Sequence, residues 1–302
     1  MDLNRFNIVV IGAGALGGAV LSKLIQAGPA SIKIVDGDVV TAKNSVNQPL
    51  FTKKDADGFV NKADAIVSKF SSTSSVRLVS EPFYVGEERI DSVIEGVDIV
   101  IDTTDNNETR LVINDACVRK RIPLAIASVR ANNGLLYIVD GNNACFNCIY
   151  RNGKKVDSSG CASVTAQRAQ TVGVKAVDAV VNFLMYRTEC PFTNVNADTG
   201  STLETYIKKD SNCETCQKHI HLDRAGGGFI QICGEGIKFS LQKKIDLKRI
   251  AVAFPSAVYM QDGRLLRMDS GSRSVLISDE GDFLFSGYDI EGAKTFISSV
   301  LS

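Results

Sequence analysis

Three glycines near the N-terminus limit the folds open to this chain. Gly12, Gly14 and Gly17 form a G-x-G-x-x-G pattern that follows the apolar run Asn7–Ile11 and precedes a helical pattern at 15–26. In such a strand–loop–helix unit the glycines permit a tight turn, and they let phosphate oxygens approach backbone N–H groups at the helix N-terminus. The pattern therefore predicts a nucleotide-binding unit at the start of an α/β domain.

Asp36 supports this interpretation because it lies 19 residues beyond Gly17, at the end of the second apolar run, 32–35. A carboxylate at that point can accept hydrogen bonds from ribose hydroxyls. Two alternatives remain open. The glycines could only pack the first helix against the first strand, and a nicotinamide- or flavin-dependent oxidoreductase would use the same two features.

Short apolar runs alternate with helical patterns through the first part of the chain. Such alternation is typical of a mostly parallel, doubly wound sheet with helices on both faces. The further predicted strands are 97–101, 123–127 and 135–139, and the further predicted helices are 62–70, 109–119 and 166–186.

The 302 residues are enough for one large domain and a small second one. We expect a main domain over residues 1–228, with a crossover loop at about 149–165, and a joint at Gly226-Gly227-Gly228. Strand-like pieces and a short helix then predict a small α+β domain over 229–302.

Composition excludes some classes of function. Lys and Arg together number 34, as do Asp and Glu, so no net charge favours nucleic acid or a membrane surface. The N-terminus leads directly into an apolar strand without the basic region or the cleavage site of a signal peptide, and no apolar run approaches the ~20 residues of a membrane span. These features predict a cytoplasmic protein.

Asp105 and Asn106 follow the predicted strand 97–101, at the edge where open α/β sheets bind their ligands. Asp105 is a candidate ligand for Mg²⁺ on a triphosphate, since Mg²⁺ takes one or two carboxylates together with phosphate oxygens. Capping of the following helix is the alternative role for both residues, and the two roles can coexist.

Two C-x-x-C pairs, Cys145 with Cys148 and Cys213 with Cys216, predict a metal site rather than disulfides in a chain without an export signal. Four thiolates around a tetrahedral ion leave no open position for catalysis, which indicates structural zinc. We call this set the zinc staple. Four reduced structural thiols are the alternative.

Cys161 is a candidate nucleophile. It follows the polar segment 152–160 and comes just before the predicted helix 166–186. A thiol near a helix N-terminus has a lowered pKa, and the thiolate is the reactive form. A passive loop thiol is the alternative.

Taken in order, these motifs resemble the adenylation domain of the ThiF/MoeB and ubiquitin-activating enzyme superfamily over roughly residues 6–228. The resemblance implies a Rossmann-like fold in which Asp36 binds ribose, Asn44 and Lys62 bind phosphates, and Asp105 binds Mg²⁺. The other residues that carry it in the nucleotide site are Gly12, Gly14, Gly17, Asp38, Gln48, Asn106 and Arg110.

The resemblance also implies a function. ATP and Mg²⁺ would serve to adenylate the C-terminal Gly-Gly carboxylate of a ubiquitin-like protein, and Cys161 would then take the protein as a thioester. The stretch around Cys161 is similar to the small activating enzyme of the ubiquitin-fold modifier. Activation of a sulfur carrier for tRNA thiolation, molybdopterin or thiamine synthesis is the alternative. A homodimer and a downstream conjugating enzyme or sulfurtransferase are implied as well.

One position departs from the family pattern. The family places an arginine on the ATP phosphates within N-x-x-R-Q, whereas residues 44–48 read N-S-V-N-Q and put Asn47 in that place. Lys43 and, across a dimer, Arg5 are candidate replacements. The departure keeps open an inactive scaffold that only binds a ubiquitin-like protein, and an NAD-dependent oxidoreductase is the other rival class.

Overall fold

The computed structural model of the chain describes residues 3–152, 164–219, 230–232 and 236–301. These residues form an eight-stranded sheet and a six-stranded sheet. The strands are β1 Asn7–Ile11, β2 Ser31–Val35, β3 Arg77–Glu81, β4 Ile99–Asp102, β5 Leu124–Arg130, β6 Asn133–Val139, β7 Phe192–Asn196, β8 Thr202–Thr205, β9 Ile230–Ile232, β10 Gly236–Ser240, β11 Val258–Met260, β12 Leu265–Ser270, β13 Arg273–Ser278 and β14 Asp282–Ser286. The helices are α1 Ala15–Ala27, α2 Ala42–Asn47, α3 Lys53–Asp57, α4 Lys62–Phe70, α5 Glu87–Val93, α6 Asn107–Lys120, α7 Phe146–Asn152, α8 Ala166–Tyr186, α9 Leu247–Ala253 and α10 Ile290–Leu301.

The larger sheet has the strand order β3-β2-β1-β4-β5-β6-β7-β8. Its first five strands in that order are parallel, and helices connect them along the chain. The chain order reverses between β1 and β4, and doubly wound sheets bind their ligands beside the carboxyl ends of the strands at such a point. This confirms the predicted Rossmann-like, doubly wound and mostly parallel sheet.

The strands from β6 onward run antiparallel, which differs from a simple continuation of the parallel series. Only Ala131 and Asn132 connect β5 to β6. Two residues can join neighbouring strands only as a hairpin, because a parallel crossover needs a dozen residues or more. Ala131 adopts the left-handed conformation that such a turn requires, with φ 52°.

Helices cover both faces of the larger sheet, and burial of their apolar sides holds them there. Val20 of α1, Ile66 of α4 and Val177 of α8 lie in the core on one face. Ile90 of α5 and Ile113 of α6 lie in the core on the other. Each such side chain contributes about 1.5–3 kcal/mol when it leaves water.

The long helix α8 packs closely against α1. A Cβ at Gly173 would lie 2.8 Å from the Cβ of Ala19, so only glycine fits at this crossing. The contact confirms that the apolar 21-residue helix belongs to the core of the larger sheet. None of the helices in the described ranges combines the length and the apolar character needed to cross a bilayer.

The six-stranded sheet has the order β11-β12-β13-β14-β10-β9 and is antiparallel throughout. Leu266, Ile277, Phe283 and Phe285 form its core beneath α9 and α10. This is the small α+β unit expected from the sequence. Residues 220–229, with the predicted glycine joint, lie outside the described residues, so the division into 1–228 and 229–302 stays a prediction.

The two sheets meet beside the carboxyl ends of β2 and β3. The backbone N–H of Tyr84 donates to Asp282 Oδ2 at 2.9 Å, and Gln242 Nε2 donates to the Tyr84 carbonyl at 3.1 Å. Arg89 donates to the carbonyl of Glu280 and pairs with its carboxylate. The smaller sheet is therefore fixed against the loop after β3, at the edge where a doubly wound sheet binds its ligand.

The buried contact at Asp282 predicts a pH-dependent stability. Burial raises the pKa of Asp282 to about 7, although the Ser240 hydroxyl, the Tyr84 N–H and Arg89 all act to lower it and Glu280 adds to the rise. The folded state therefore binds this proton more tightly than the unfolded state, and stability falls as pH rises from about 4 to about 7. Asp282→Asn lacks that loss, so relative to the wild type it should gain about 3 kcal/mol between pH 5 and pH 8.

Urea unfolding at both pH values measures this difference. Asp269→Asn, at an exposed position on β12, controls for the amide substitution itself. An unfolding difference between Asp282→Asn and wild type that is the same at both pH values would contradict the assignment.

Candidate functional site

The glycine loop follows β1 at the carboxyl edge of the parallel strands. Gly12 has a φ of 98°, a conformation that favours glycine. A Cβ at Gly17 would lie 2.0 Å from the Gly12 carbonyl oxygen and 2.8 Å from the Thr103 hydroxyl. Helix α1 can therefore start this close to the loop and to the end of β4 only with glycine at position 17.

Gly14 faces open space, unlike the other two glycines of the loop. It is the N-cap of α1, no side chain caps it, and the first turn of α1 has no acidic residue. A Cβ at Gly14 would meet no atom of the described structure within 4 Å. The first backbone N–H groups of α1 thus border a space that suits an anion such as a phosphate.

Asp36 connects this loop to the end of β2. The Ala13 N–H donates to Asp36 Oδ2 at 2.6 Å, and the Asp38 N–H donates to Oδ1 at 2.7 Å. The Asn61 side chain donates to the Asp36 carbonyl at 2.8 Å. The predicted ribose ligand is therefore held in a fixed orientation beside the glycine loop.

Asp38 is the centre of a charged cluster. Lys62 Nζ lies 2.8 Å from Asp38 Oδ2, and Lys238 Nζ of β10 lies 2.5 Å from Oδ1. The Tyr84 hydroxyl also donates to Oδ1 at 2.7 Å. Burial alone would raise the pKa of Asp38, but the charges and hydrogen bonds of the two lysines outweigh it and lower that pKa well below its usual range.

Asp36 and Lys62 complete the electrostatics of the cluster. Burial and the charge of Asp38 raise the pKa of Asp36. For Lys62, burial acts to lower the pKa, yet the charges of Asp38, Asp36 and Asp105 raise it. Lys62 thus stays charged and lies within the field of all three carboxylates, including the predicted Mg²⁺ ligand.

The loop after β4 is held by its own buried ion pair. Asp102 accepts hydrogen bonds from the Thr104 N–H and hydroxyl, at 2.8 and 2.6 Å, and pairs with Arg110 Nε at 3.1 Å. Arg110 also donates to the Thr104 carbonyl. These contacts orient the exposed Asp105. The sequence predicts Arg110 as a residue of the nucleotide site. In the described structure its guanidinium contacts Asp102 and the Thr104 carbonyl of this loop.

Asn106 caps helix α6, which is the alternative role that the sequence offers for this residue. Its Oδ1 accepts a hydrogen bond from the Thr109 N–H at 2.8 Å, at the N-terminus of α6. The Asn44 side chain likewise accepts from the Thr41 N–H and hydroxyl in a capping box at the start of α2. Both side chains therefore stabilise the N-termini of helices.

The short helix α2 carries the position that departs from the family pattern. Asn47 and Lys43 are both exposed on it. Gln48 follows α2, and its Oε1 is buried with no hydrogen-bond partner in the described structure. An unpaired buried acceptor is costly, and a bound nucleotide or its water would supply a donor.

These observations fit a nucleotide with Mg²⁺. Backbone N–H groups around Gly14 suit phosphates, and Lys62 supplies a buried positive charge. The Asp36 carboxylate is fixed for a ribose, and Asp105 is an exposed carboxylate of the kind that Mg²⁺ prefers.

The four cysteines of the zinc staple come together in the structure. Their Sγ atoms all lie within 4.8 Å of one another. The separations are 3.9 Å for Cys145–Cys148, 3.6 Å for Cys145–Cys213 and 3.4 Å for Cys148–Cys216. A tetrahedral ion with Zn–S bonds of about 2.3 Å places its sulfurs about 3.8 Å apart, so the cluster fits zinc.

Neighbouring polar groups hold the sulfurs in place. Asn147 Nδ2 lies 3.9 Å from Cys213 Sγ, and the Asp210 N–H donates to Cys148 Sγ at 3.5 Å. Such contacts orient metal ligands. Burial raises the pKa of the Cys148 thiol to about 11, so a cation is what would stabilise its thiolate form at neutral pH. The cluster connects α7 to the segment after β8.

One predicted residue lies outside the described structure, and two residues of the charged cluster were not predicted. Cys161 and most of the crossover loop lie outside the described residues, so its role as nucleophile stays a prediction. Tyr84 and Lys238 belong to the cluster but were not found from the sequence. Neither lies in a local motif, and Lys238 reaches Asp38 from 200 positions further along the chain.

Fold and site together define a doubly wound α/β protein with a phosphate-binding type of glycine loop and a four-cysteine metal cluster. The chain belongs to the ThiF family, whose model matches residues 1–218. This confirms the superfamily resemblance drawn from the motifs.

Relatives of known function match about half of the chain. A sulfur carrier protein ThiS adenylyltransferase of Bacillus subtilis is 36% identical over 149 residues, which are 49% of this chain and 44% of that protein. A sulfur carrier protein adenylyltransferase of Thermus thermophilus is 33% identical over 147 residues, 48% of this chain and 50% of the relative. The adenylyltransferase and sulfurtransferase MOCS3 of Aedes aegypti is 31% identical over 154 residues, 50% of this chain and 35% of the relative. The matches thus span half or less of each of these relatives.

The fold is also similar to solved structures. The crystal structure of Escherichia coli MccB matches with a TM-score of 0.63 and 18% identity, over 73% of this chain and 67% of that one. At this identity the likeness shows the shared fold alone.

The cysteine geometry predicts one tightly bound zinc ion per chain. Cys213 is fully buried in the cluster, so Cys213→Ser should lose the ion and unfold at a lower temperature. Structural zinc contributes on the order of 10 kcal/mol to folding in small zinc peptides, so the loss should be large. Elemental analysis and thermal unfolding measure the two effects.

Cys190→Ser is the matched control, because Cys190 lies outside the cluster and is partly exposed. Wild-type protein that is free of zinc, and that keeps its unfolding temperature in a chelator, would refute the metal site.

Proposed function

We propose that this chain is an ATP-dependent adenylyltransferase that activates the C-terminal carboxylate of a sulfur-carrier protein with a ubiquitin-like fold. The observation that carries the proposal is the convergence of Lys62 with Asp36, Asp38 and Asp105 beside the glycine loop. This arrangement offers a phosphate site, a ribose ligand and a metal ligand at one sheet edge.

The sequence motifs place conjugation of a ubiquitin-like modifier first and sulfur transfer second. The relatives reverse this order, because those from Bacillus subtilis and Thermus thermophilus are named for sulfur carriers and the Aedes aegypti relative is also named a sulfurtransferase. We therefore put the sulfur-carrier substrate first. Conjugation stays the second candidate, supported by the stretch around Cys161.

In the first step, a carboxylate oxygen of the carrier attacks the α-phosphorus of ATP. The new P–O bond forms as the bond to diphosphate breaks, which yields the acyl-adenylate and diphosphate. The backbone N–H groups at the glycine loop and Lys62 would hold the phosphates, and Asp36 would hold the ribose. Mg²⁺ on Asp105 would neutralise phosphate charge. Positioning and charge neutralisation do most of the catalytic work in such transfers.

In the second step, a sulfur nucleophile attacks the carbonyl carbon of the acyl-adenylate. The C–S bond forms as the bond to AMP breaks, and AMP leaves with the electron pair. Cys161 is our candidate for a thiolate that forms a thioester. A persulfide on a sulfurtransferase partner would instead displace AMP to give an acyl disulfide, and a second thiol would then cleave its S–S bond, which releases the carrier thiocarboxylate and leaves a disulfide between the two thiols. A homodimer, as is common in the superfamily, is part of the proposal.

Asp105→Ala should lower carrier-dependent exchange of labelled diphosphate into ATP by about 100-fold or more, because the metal and the phosphates lose their anchor. Asp98→Ala is the matched control. Asp98 is also an exposed aspartate, and it lies just before β4, at the opposite end of that strand. Exchange catalysed equally well by Asp105→Ala and wild type would contradict the site.

The same assay separates the candidate functions when it is run with different carriers. A sulfur carrier ending in Gly-Gly should stimulate exchange, and the same carrier without the two glycines should not. Stimulation only by a conjugated ubiquitin-like modifier would favour the second candidate. ATP binding without exchange by any carrier would favour the inactive scaffold, and calorimetric binding of NAD but not ATP would favour the oxidoreductase.

A further inference from the structure

The smaller sheet contributes a charged side chain to the nucleotide site. Lys238 lies in the middle of β10, between β9 and β14, and its ammonium group lies 2.5 Å from Asp38 Oδ1. Lys62 lies 2.8 Å from the other oxygen of the same carboxylate. One carboxylate thus accepts two ammonium groups, one from helix α4 and one from the smaller sheet.

The two lysine side chains that contact Asp38 are largely buried. The side chains of Lys238 and Lys62 are only 18% and 9% exposed. The Lys238 ammonium also lies 4.8 Å from the centre of the Tyr84 ring, whose hydroxyl donates to the same Asp38 oxygen. Long lysine side chains at a surface are mobile, whereas these contacts fix the position of Lys238.

Tyr84 is itself fixed by both sheets. A Cβ at Gly37 would lie 2.4 Å from the Tyr84 ring, so the ring packs directly on the Asp36–Asp38 turn. Asp282 and Gln242 of the smaller sheet hold its backbone. The Tyr84 ring and Lys238 therefore approach Asp38 as one preformed unit.

The charges explain what the second lysine does. If Lys62 were the sole cation on Asp38, the pair would be neutral and Lys62 would be poorly placed to attract an anion. Lys238 on the second oxygen adds one positive charge, so that two lysines rather than one face Asp38 and the neighbouring Asp36. Asp36 connects this cluster to the glycine loop, because its carboxylate accepts hydrogen bonds from the N–H groups of both Ala13 and Asp38.

We propose that Lys238 is a positioning residue of the nucleotide site: it shares Asp38 with Lys62 and thereby leaves the Lys62 ammonium available to nucleotide phosphates. The proposal rests on the ATP-dependent function proposed above. It explains how the chain can work with Asn47, which is exposed and uncharged, at the position of an expected arginine. The smaller sheet is then a required part of the nucleotide site.

Calorimetric titration of Lys238→Met with ATP and Mg²⁺, and separately with adenosine, tests this role. The affinity for ATP should fall about tenfold, because Asp38 now neutralises Lys62. The affinity for adenosine, which has no phosphate, should stay within about twofold of wild type. Lys238→Arg should restore the preference for ATP, and Lys238→Gln replaces the Met variant if that variant does not fold.

Arg264→Met is the matched control for loss of a contact between the two sheets. Arg264 pairs with Asp64 of α4 at 2.5 Å, so it also connects the smaller sheet to the larger one. If Lys238 served only to hold the sheets together, both variants would weaken ATP and adenosine alike. That result would overturn the proposal.

The Asp38→Asn background tests whether Lys238 acts through Asp38. In that background the further change Lys238→Met should leave ATP affinity unchanged, since the shared partner is gone. An equal loss in both backgrounds would mean that Lys238 acts on the nucleotide directly, and the positioning role would be wrong. Wild-type protein that binds no ATP would overturn the proposed function and this inference together, whereas failure of the variants alone would overturn only the inference.

Discussion

The architecture of the site depends on the ion pairs and the hydrogen bond that the Asp38 carboxylate makes. This carboxylate is the point where β2 of the larger sheet, Lys62 of α4 and Lys238 of the smaller sheet meet. An ionised carboxylate is costly to bury unless cations and hydrogen bonds compensate it, so both lysines and the Tyr84 hydroxyl are needed where they lie. The smaller sheet therefore contributes a side chain, Lys238, to the charged cluster of the candidate site.

Much of the larger sheet could be predicted from the sequence because local patterns determine it. The glycine loop follows an apolar run, Asp36 comes directly after β2, and Asp105 lies in the loop that follows β4. Parallel strands bring such ends to one edge of the sheet, so their side chains converge whatever the details of packing. Paired C-x-x-C spacing predicts the cysteine cluster in the same way, since each pair lies on one turn of chain.

The rest depends on contacts that no local pattern records. In the sequence, Lys238 cannot be distinguished from an ordinary strand lysine, because its partner Asp38 lies 200 residues earlier. The turn of the hairpin between β5 and β6 has Ala131, rather than a glycine, in the left-handed backbone conformation. Arg110 matches a nucleotide motif, yet its contacts in the described structure are with Asp102 and the Thr104 carbonyl. For Lys238 and Arg110, tertiary packing decides what the side chain does.

The most direct test of a nucleotide site built by both sheets is a crystal structure with Mg²⁺ and a non-hydrolysable ATP analogue. The account predicts phosphates at the backbone of the glycine loop and at Lys62, ribose hydroxyls on Asp36, and Lys238 still on Asp38. A nucleotide bound elsewhere, or phosphates out of reach of Lys62, would contradict it.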